Sequence, residues 1–258
     1  MGGNSAWDGF RRLAERNGMT GNDVAAALTT LWRRFSGRRW NDPQFLDDVA
    51  RVLGVWWCYL PMAGWIAIAS RGCPMEELRV EDAVNAAILQ AVGTWRMTKG
   101  IYSVGPVPPS DHMSERLLGA FPEWCMYVKG EYNFFVSLES DVHDGRPELR
   151  FLLDFPDSLI SIPVHIGEWT VEEGLRRASD EAQKNAFNIL GRILPEGPPG
   201  IIPLVKSLVG VVDAITAPGA IITGRGRDRP GNPEPVKARG GWTLFPREKV
   251  RVWNVEGA

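Results

Sequence analysis

Residues 122–166 contain PEWCMYV from Pro122, EYNFFVSLES from Glu131, the turn HDGRP from His143, ELRFLLDF from Glu148 and ISIPVHI from Ile160. These runs are rich in aromatic and β-branched residues and are separated by turn formers, which is the signature of strands. Four successive strands are expected: Trp124 to Val128, Glu131 to Ser140, Glu148 to Phe155 and Ile160 to Ile166. Their links, Lys129-Gly130, Asp144-Gly145 and Pro156-Asp157, are short enough to demand antiparallel neighbours.

Outside this block the periodicity is helical. Trp7, Phe10 and Leu13 or Ala14 recur at helical spacing, and Thr20 with Asp23 forms a capping box ahead of Val24, Ala27, Leu28, Leu31 and Phe35. Asp42 caps a helix that has Pro43 at its first position and Gly54 at its end. Val84, Ile88, Ala91 and Trp95 line one face down to Gly100, and a Pro-rich link (Gly105 to Asp111) leads to a short helix ending near Ala120. Beyond the strands, Thr170 with Glu173 caps a long helix to about Leu194, whose expected buried stripe is Leu175, Ala178, Ala182, Ala186 and Ile189. Ile201 to Ile215 is an apolar helix that must be buried, against the chain or against a partner.

Residues 217–241, rich in Gly, Pro and Arg, read as a flexible linker, and Trp242 to Val255 offers one or two strands that rejoin the sheet. The fold class is therefore α+β: a helical N-terminal half followed by an antiparallel sheet of about four to six strands with packed helices. Residues 1–104 form the helical region, and residues 111–258 form the sheet with its helices and linker.

With 258 residues, 44% apolar and 23% charged, the chain has ample material for a core and is not a disordered protein. The formal net charge of −2 conceals an acidic middle. Residues 122–173 carry 3 basic and 11 acidic side chains, a net of −8, whereas residues 201–258 carry 9 and 5, a net of +4. Cys58, Cys73 and Cys125 form neither a disulfide framework nor a zinc motif, which fits a reducing compartment. The N-terminus carries no secretory pattern. The longest apolar run, the 15 residues from Val55 to Ala69, is broken by Pro61 and Gly64 and is too short to span a bilayer. A soluble cytoplasmic protein with no membrane partner is expected.

Catalysis has little support in these residues. His112, His143 and His165 belong to no metal-ligand spacing, and there is neither a GxSxG motif nor a Gly-rich cofactor loop, so no metal and no cofactor is expected. Asp141, His143 and Asp144 offer acid–base groups, but in a hairpin turn that favours such residues for backbone reasons. Cys125 alternates with aromatic residues in a strand and reads as core rather than nucleophile.

Binding has more support. Arg33, Arg34, Arg38 and Arg39 lie among Trp32, Phe35 and Trp40 at a helix end, where they could contact nucleic acid or simply face water. Glu131, Glu139, Asp141, Asp144, Glu148 and Asp154 make the sheet region a dock for a basic peptide, or a solvated face. An RNA-binding protein or a nuclease is the alternative function on these features.

The order of motifs adds a resemblance. WRMTKGIYSV from Trp95, FPEWCMYV from Phe121, Phe134-Phe135, ELRFLLDF, IPVHI and TVEEGLRRAS from Thr170 follow one another over roughly residues 90–185, with a weaker match at Lys249 to Trp253. This order resembles the anti-CRISPR family of phages and other mobile elements that includes an inhibitor of type V-A effector biogenesis. The resemblance implies a non-enzymatic inhibitor that recognises the N-terminal segment of the nascent CRISPR effector and promotes loss of its mRNA. The partner is then the nascent effector polypeptide, with the translating ribosome or the mRNA as a further one. The matched positions implied in recognition are Trp124, Tyr127, Phe134, Phe135, Glu139 and Asp154. Strand alternation must place part of this set in the core.

Overall fold

The four expected strands are present as one antiparallel meander, but they form only part of a larger mixed sheet. The structure, a computed structural model, describes residues 21–53, 77–93, 100–123, 125–141, 144, 146–155, 158–178, 181–194, 200–224, 229–231, 236–238, 241–243 and 251–256. Two compact units are formed, Met1–Lys99 with Pro233–Glu248 and Gly100–Asn232 with Lys249–Ala258.

In the first unit, α1 (Gly21–Phe35) buries Leu28, Leu31 and Phe35, the apolar stripe expected from their spacing. The second helix, α2 (Pro43–Leu53), starts as its sequence demands: Pro43 occupies the first turn, and the Asp42 carboxylate accepts from the Phe45 backbone N–H at 3.1 Å. Phe35 and Phe45 meet edge to face, with centroids 5.7 Å apart. The third helix, α3, spans Val80–Gly93, and residues 94–99, over which it was expected to continue toward Gly100, lie outside the described residues. Thr20, Gly54, Trp95 and the apolar run from Val55 to Ala69 lie outside the described residues.

The second unit is built on a seven-stranded sheet. Its strands are β1 (Gly100–Val104), β3 (Cys125–Lys129), β4 (Phe134–Ser140), β5 (Pro147–Phe155), β6 (Ser158–His165), β8 (Ile221–Gly224) and β11 (Arg251–Glu256). One short pair of this unit lies outside it, β2 (His112–Met113) with β7 (Trp169–Thr170), and the pair β9 (Val236–Ala238) with β10 (Gly241–Thr243) belongs to the first unit. The spatial order is β6-β5-β4-β3-β1-β11-β8.

Two expectations are corrected here. The sheet is mixed, because β1 runs parallel to both β3 and β11. The span 217–241 is not a linker throughout: Ile221–Gly224 pairs antiparallel with β11, and Val236–Ala238 pairs with β10. Ile222 opposite Val255 gives that edge an apolar pair to hold.

Helices cover one face of the sheet, beginning with the short α4 (Leu117–Ala120), which buries Leu117 in the core. Thr170 caps α5 (Val171–Arg177), its hydroxyl accepting from the Glu173 N–H at 3.2 Å. The expected long helix is divided, with α6 spanning Glu181–Ile193. Ala178 is the C-cap of α5, with φ −83° and ψ 17°. Leu175, Ala178 and Ala186 are buried as expected, but Leu190 takes the inward position and Ile189 is 41% exposed. The apolar helix α7 (Ile201–Thr216) is buried within its own unit, with Leu204, Val205, Leu208, Val209 and Val212 in the core beneath the sheet. Among the described residues, no helix is long and apolar enough to cross a membrane.

Candidate functional site

Alternation along each strand sorts the sheet into two faces. Met126, Val128, Phe134, Val136, Phe151, Ile162 and Val164 point toward the helices and form the apolar core. The opposite face carries Tyr127, Phe135, Ser137, Glu139, Glu148, Arg150, Ser161 and His165, brought into register by the meander. Of the expected recognition residues, Phe134 therefore belongs to the helix-packed face, whereas Tyr127, Phe135, Glu139 and Asp154 share the other. Tyr127, Phe134 and Phe135 are fully buried, while Glu139 and Asp154 keep partial exposure. Trp124 lies outside the described residues.

The second face is aromatic toward one end and ionic toward the other. Tyr127 packs on Phe135 with centroids 4.6 Å apart, and its hydroxyl donates to Asp154 Oδ2 at 2.8 Å. Burial, and then the Asp154 carboxylate, push the Tyr127 phenol upward, so it remains a donor.

Toward the hairpin, Arg150 is the hub. Its guanidinium donates to Glu148 and to Ser161 Oγ at 3.3 Å, and stands 3.6 Å from Glu139 Oε2. The Ser137 hydroxyl donates to Glu139 Oε1 at 2.7 Å. His165 Nε2 meets Asp141 Oδ2 at 2.8 Å. Burial raises the Glu148 carboxyl to about 8 against the pull of Arg150, with Glu139 and Asp141 raising it further. This strip is therefore a polar network with a surplus of carboxylates, able to exchange charge with a basic partner.

Sequence reading named the acids but missed their organiser. Arg150 was detectable, since Glu148, Arg150, Leu152 and Asp154 alternate onto one face of β5. His165 belongs to no metal-ligand or catalytic spacing in the sequence. Its link to Asp141 requires the hairpin register, with Glu148 opposite both Glu139 and His165. His143 and Gly145 lie outside the described residues. Asp141, Asp144 and His165 are a group able to hold a metal, one donor atom from each lying within 4.8 Å of the others.

Cys125 is structural. It is fully buried in β3, and burial, followed by the Glu123 and Glu139 carboxylates, drives its thiol well above the ordinary range. A catalytic thiol needs the reverse shift. Neighbouring Glu123 is also buried and accepts from the Tyr102 hydroxyl at 2.7 Å.

In the first unit, Arg34 pairs with Asp48, and Arg38 pairs with Asp42 at 3.2 Å. Both guanidinium groups also lie over the Phe35 ring, at 5.0 and 5.3 Å. Arg33 and Arg39 are exposed. The second unit holds a cavity of about 490 Å³ between the link after β1, the β3–β4 turn and α7, lined by Val107, Glu131, Tyr132, Phe134, Leu208 and Val211. Its size is that of a small-ligand or side-chain pocket.

Residues 103–257 match the model of the AcrVA2-like family, described as the anti-CRISPR type V subtype A2 family. A solved structure described as the crystal structure of AcrVA2 is similar, with TM-score 0.48 and 14% sequence identity over 95% of this chain and 82% of that one. No curated protein matches the chain.

Proposed function

This chain belongs to the anti-CRISPR type V subtype A2 family, and from that membership we propose the step at which it inhibits. It lowers type V-A CRISPR effector biogenesis by recognising the N-terminal segment of the nascent effector and promoting loss of its mRNA. It acts by binding, without chemistry of its own. The observation that carries this reading is the family match over residues 103–257, which takes in the whole β3–β6 meander.

Two physical features support it. The meander region concentrates negative charge, a net of −8 over residues 122–173, which suits a basic peptide segment. Within it, Glu139 and Asp154 keep partial exposure while Arg150 and Tyr127 hold them in place. Buried, oriented partners of this kind fix a carboxylate's direction before binding.

The experiment is a co-translational pulldown in cells expressing the effector, with tagged protein and sequencing of the co-purifying ribosome-protected mRNA. Effector mRNA, with footprints beginning once the N-terminal segment has left the ribosome, is the expected result. Recovery of completed effector without its translating mRNA would overturn the reading.

A further inference from the structure

We propose that the cavity beside the β3–β4 turn is an anchor pocket for one bulky apolar side chain of a basic peptide, the N-terminal segment of the nascent effector. This rests on the biogenesis reading above and adds to it where the peptide is gripped. The floor of the cavity is apolar and buried, with Val104, Val128 and Phe134 from the helix-packed face of the sheet, while Val107, Tyr132 and Val211 form half-buried walls. Half-buried apolar walls over a buried floor are surface that a guest side chain takes out of water. A volume of about 490 Å³ admits a large aromatic or aliphatic side chain with its flanking backbone.

The rim sets the charge of the guest. Glu131 is the one charged residue lining the cavity. It is exposed, and its carboxylate makes no hydrogen bond or ion pair with the described residues. The nearby cations do not offset it. Lys129 follows Val128 in β3, so strand alternation turns it to the other face, and Lys206 is paired with Asp111 at 2.9 Å. An anionic ligand finds no counter-charge here, whereas a Lys or Arg beside the buried side chain meets a free carboxylate.

Both walls are held before a guest arrives. The link from Gly105 to Asp111 has φ fixed at Pro106, Pro108 and Pro109. It is fastened to α7 by the Ser110 N–H, which donates to the Lys206 carbonyl at 3.0 Å, and by the Pro108 carbonyl, which lies so close to Gly210 that a Cβ there would collide with it. Across the cavity, the Asp154 N–H donates to the Asn133 carbonyl at 2.8 Å and fixes the β3–β4 turn. That bond also sets Asp154, a candidate recognition carboxylate, at the same end of the sheet as the pocket. A preformed pocket spares the ordering cost of binding, and a buried anchor side chain then supplies most of the affinity.

The test is fluorescence anisotropy of the full chain with a dye-labelled synthetic peptide carrying the effector's N-terminal sequence. Saturable binding is expected, weakened about tenfold or more by Val211→Trp, which fills the cavity from its half-buried wall. Glu131→Lys should weaken it about three- to tenfold. Glu172→Lys makes the same charge change on an exposed residue of α5 and should bind as the parent does. Glu131 is exposed, so its variant keeps the fold and decides the matter even if Val211→Trp does not fold. Affinity unchanged by Glu131→Lys or by folded Val211→Trp, or weakened equally by Glu131→Lys and Glu172→Lys, would overturn the pocket and leave N-terminal recognition standing, as when the cavity takes a small apolar ligand instead. Absence of binding by the parent chain would overturn both.

Discussion

The Tyr127 hydroxyl donates to Asp154 at 2.8 Å across the whole width of β4, tying β3 to β5 over the strand that separates them. That bond orients the outermost carboxylate of the second sheet face. Tyr127→Phe should lower the unfolding free energy by about 1–3 kcal/mol, since it removes a buried charge-assisted bond. If Asp154 meets the partner directly, Asp154→Asn should weaken capture of the nascent chain more than Tyr127→Phe does. Denaturant titration and pulldown yield, measured on both variants, separate the two effects.

Glu148 should make stability depend on pH with a definite sign. Its carboxyl titrates at about 8 in the fold, against an ordinary value of 4.5. Between those values the unfolded chain holds fewer protons than the native one, so stability falls as pH rises. The slope from this group alone is at most about 1.4 kcal/mol per pH unit. Glu148→Gln should flatten the curve between pH 5 and 8, measured by urea denaturation in the presence of a chelator. A variant curve parallel to the parent's would show that Glu148 is not the source.

Trp253 is clamped by glycines on the two strands beside it. A Cβ on Gly100 would lie 2.5 Å from the indole, and one on Gly224 would lie 2.4 Å from it. Gly224→Ala should cost about 1–3 kcal/mol through overpacking. The double variant with Gly100→Ala should cost less than the sum, because both changes displace the same ring. Thermal denaturation of the two single variants and the double variant gives the comparison.

Cys125 should resist a thiol reagent in the native protein. Its sulfur is fully buried and its thiol is pushed up, so neither access nor thiolate is available. Peptide mapping after native alkylation should find Cys125 unmodified, and modified once denaturant is added. Rapid native labelling would restore the nucleophile reading.

The meander was legible because each strand lies next to its neighbour in sequence and local turns set its register. Phe134-Phe135 and ELRFLLDF could hardly be anything but strands. The rest of the sheet was not legible for the opposite reason. Arg251–Glu256 enters between β1 and β8 from the far end of the chain, and parallel pairing leaves no turn to announce it. Gly100–Val104 falls within the expected helical region of residues 1–104, although Tyr102 and Val104 alternate as a strand requires. The polar strip was half legible: alternation finds Glu148 and Arg150 together, but the Asp141–His165 contact spans 24 residues and depends on the register of two hairpins.

The most direct measurement follows effector mRNA and effector protein together in cells, with and without this chain, alongside the activity of effector assembled beforehand. The expected result is a parallel fall in mRNA and protein, abolished when the effector's N-terminal codons are recoded to a different peptide, with assembled nuclease unaffected. Inhibition of the assembled nuclease with mRNA unchanged would contradict it.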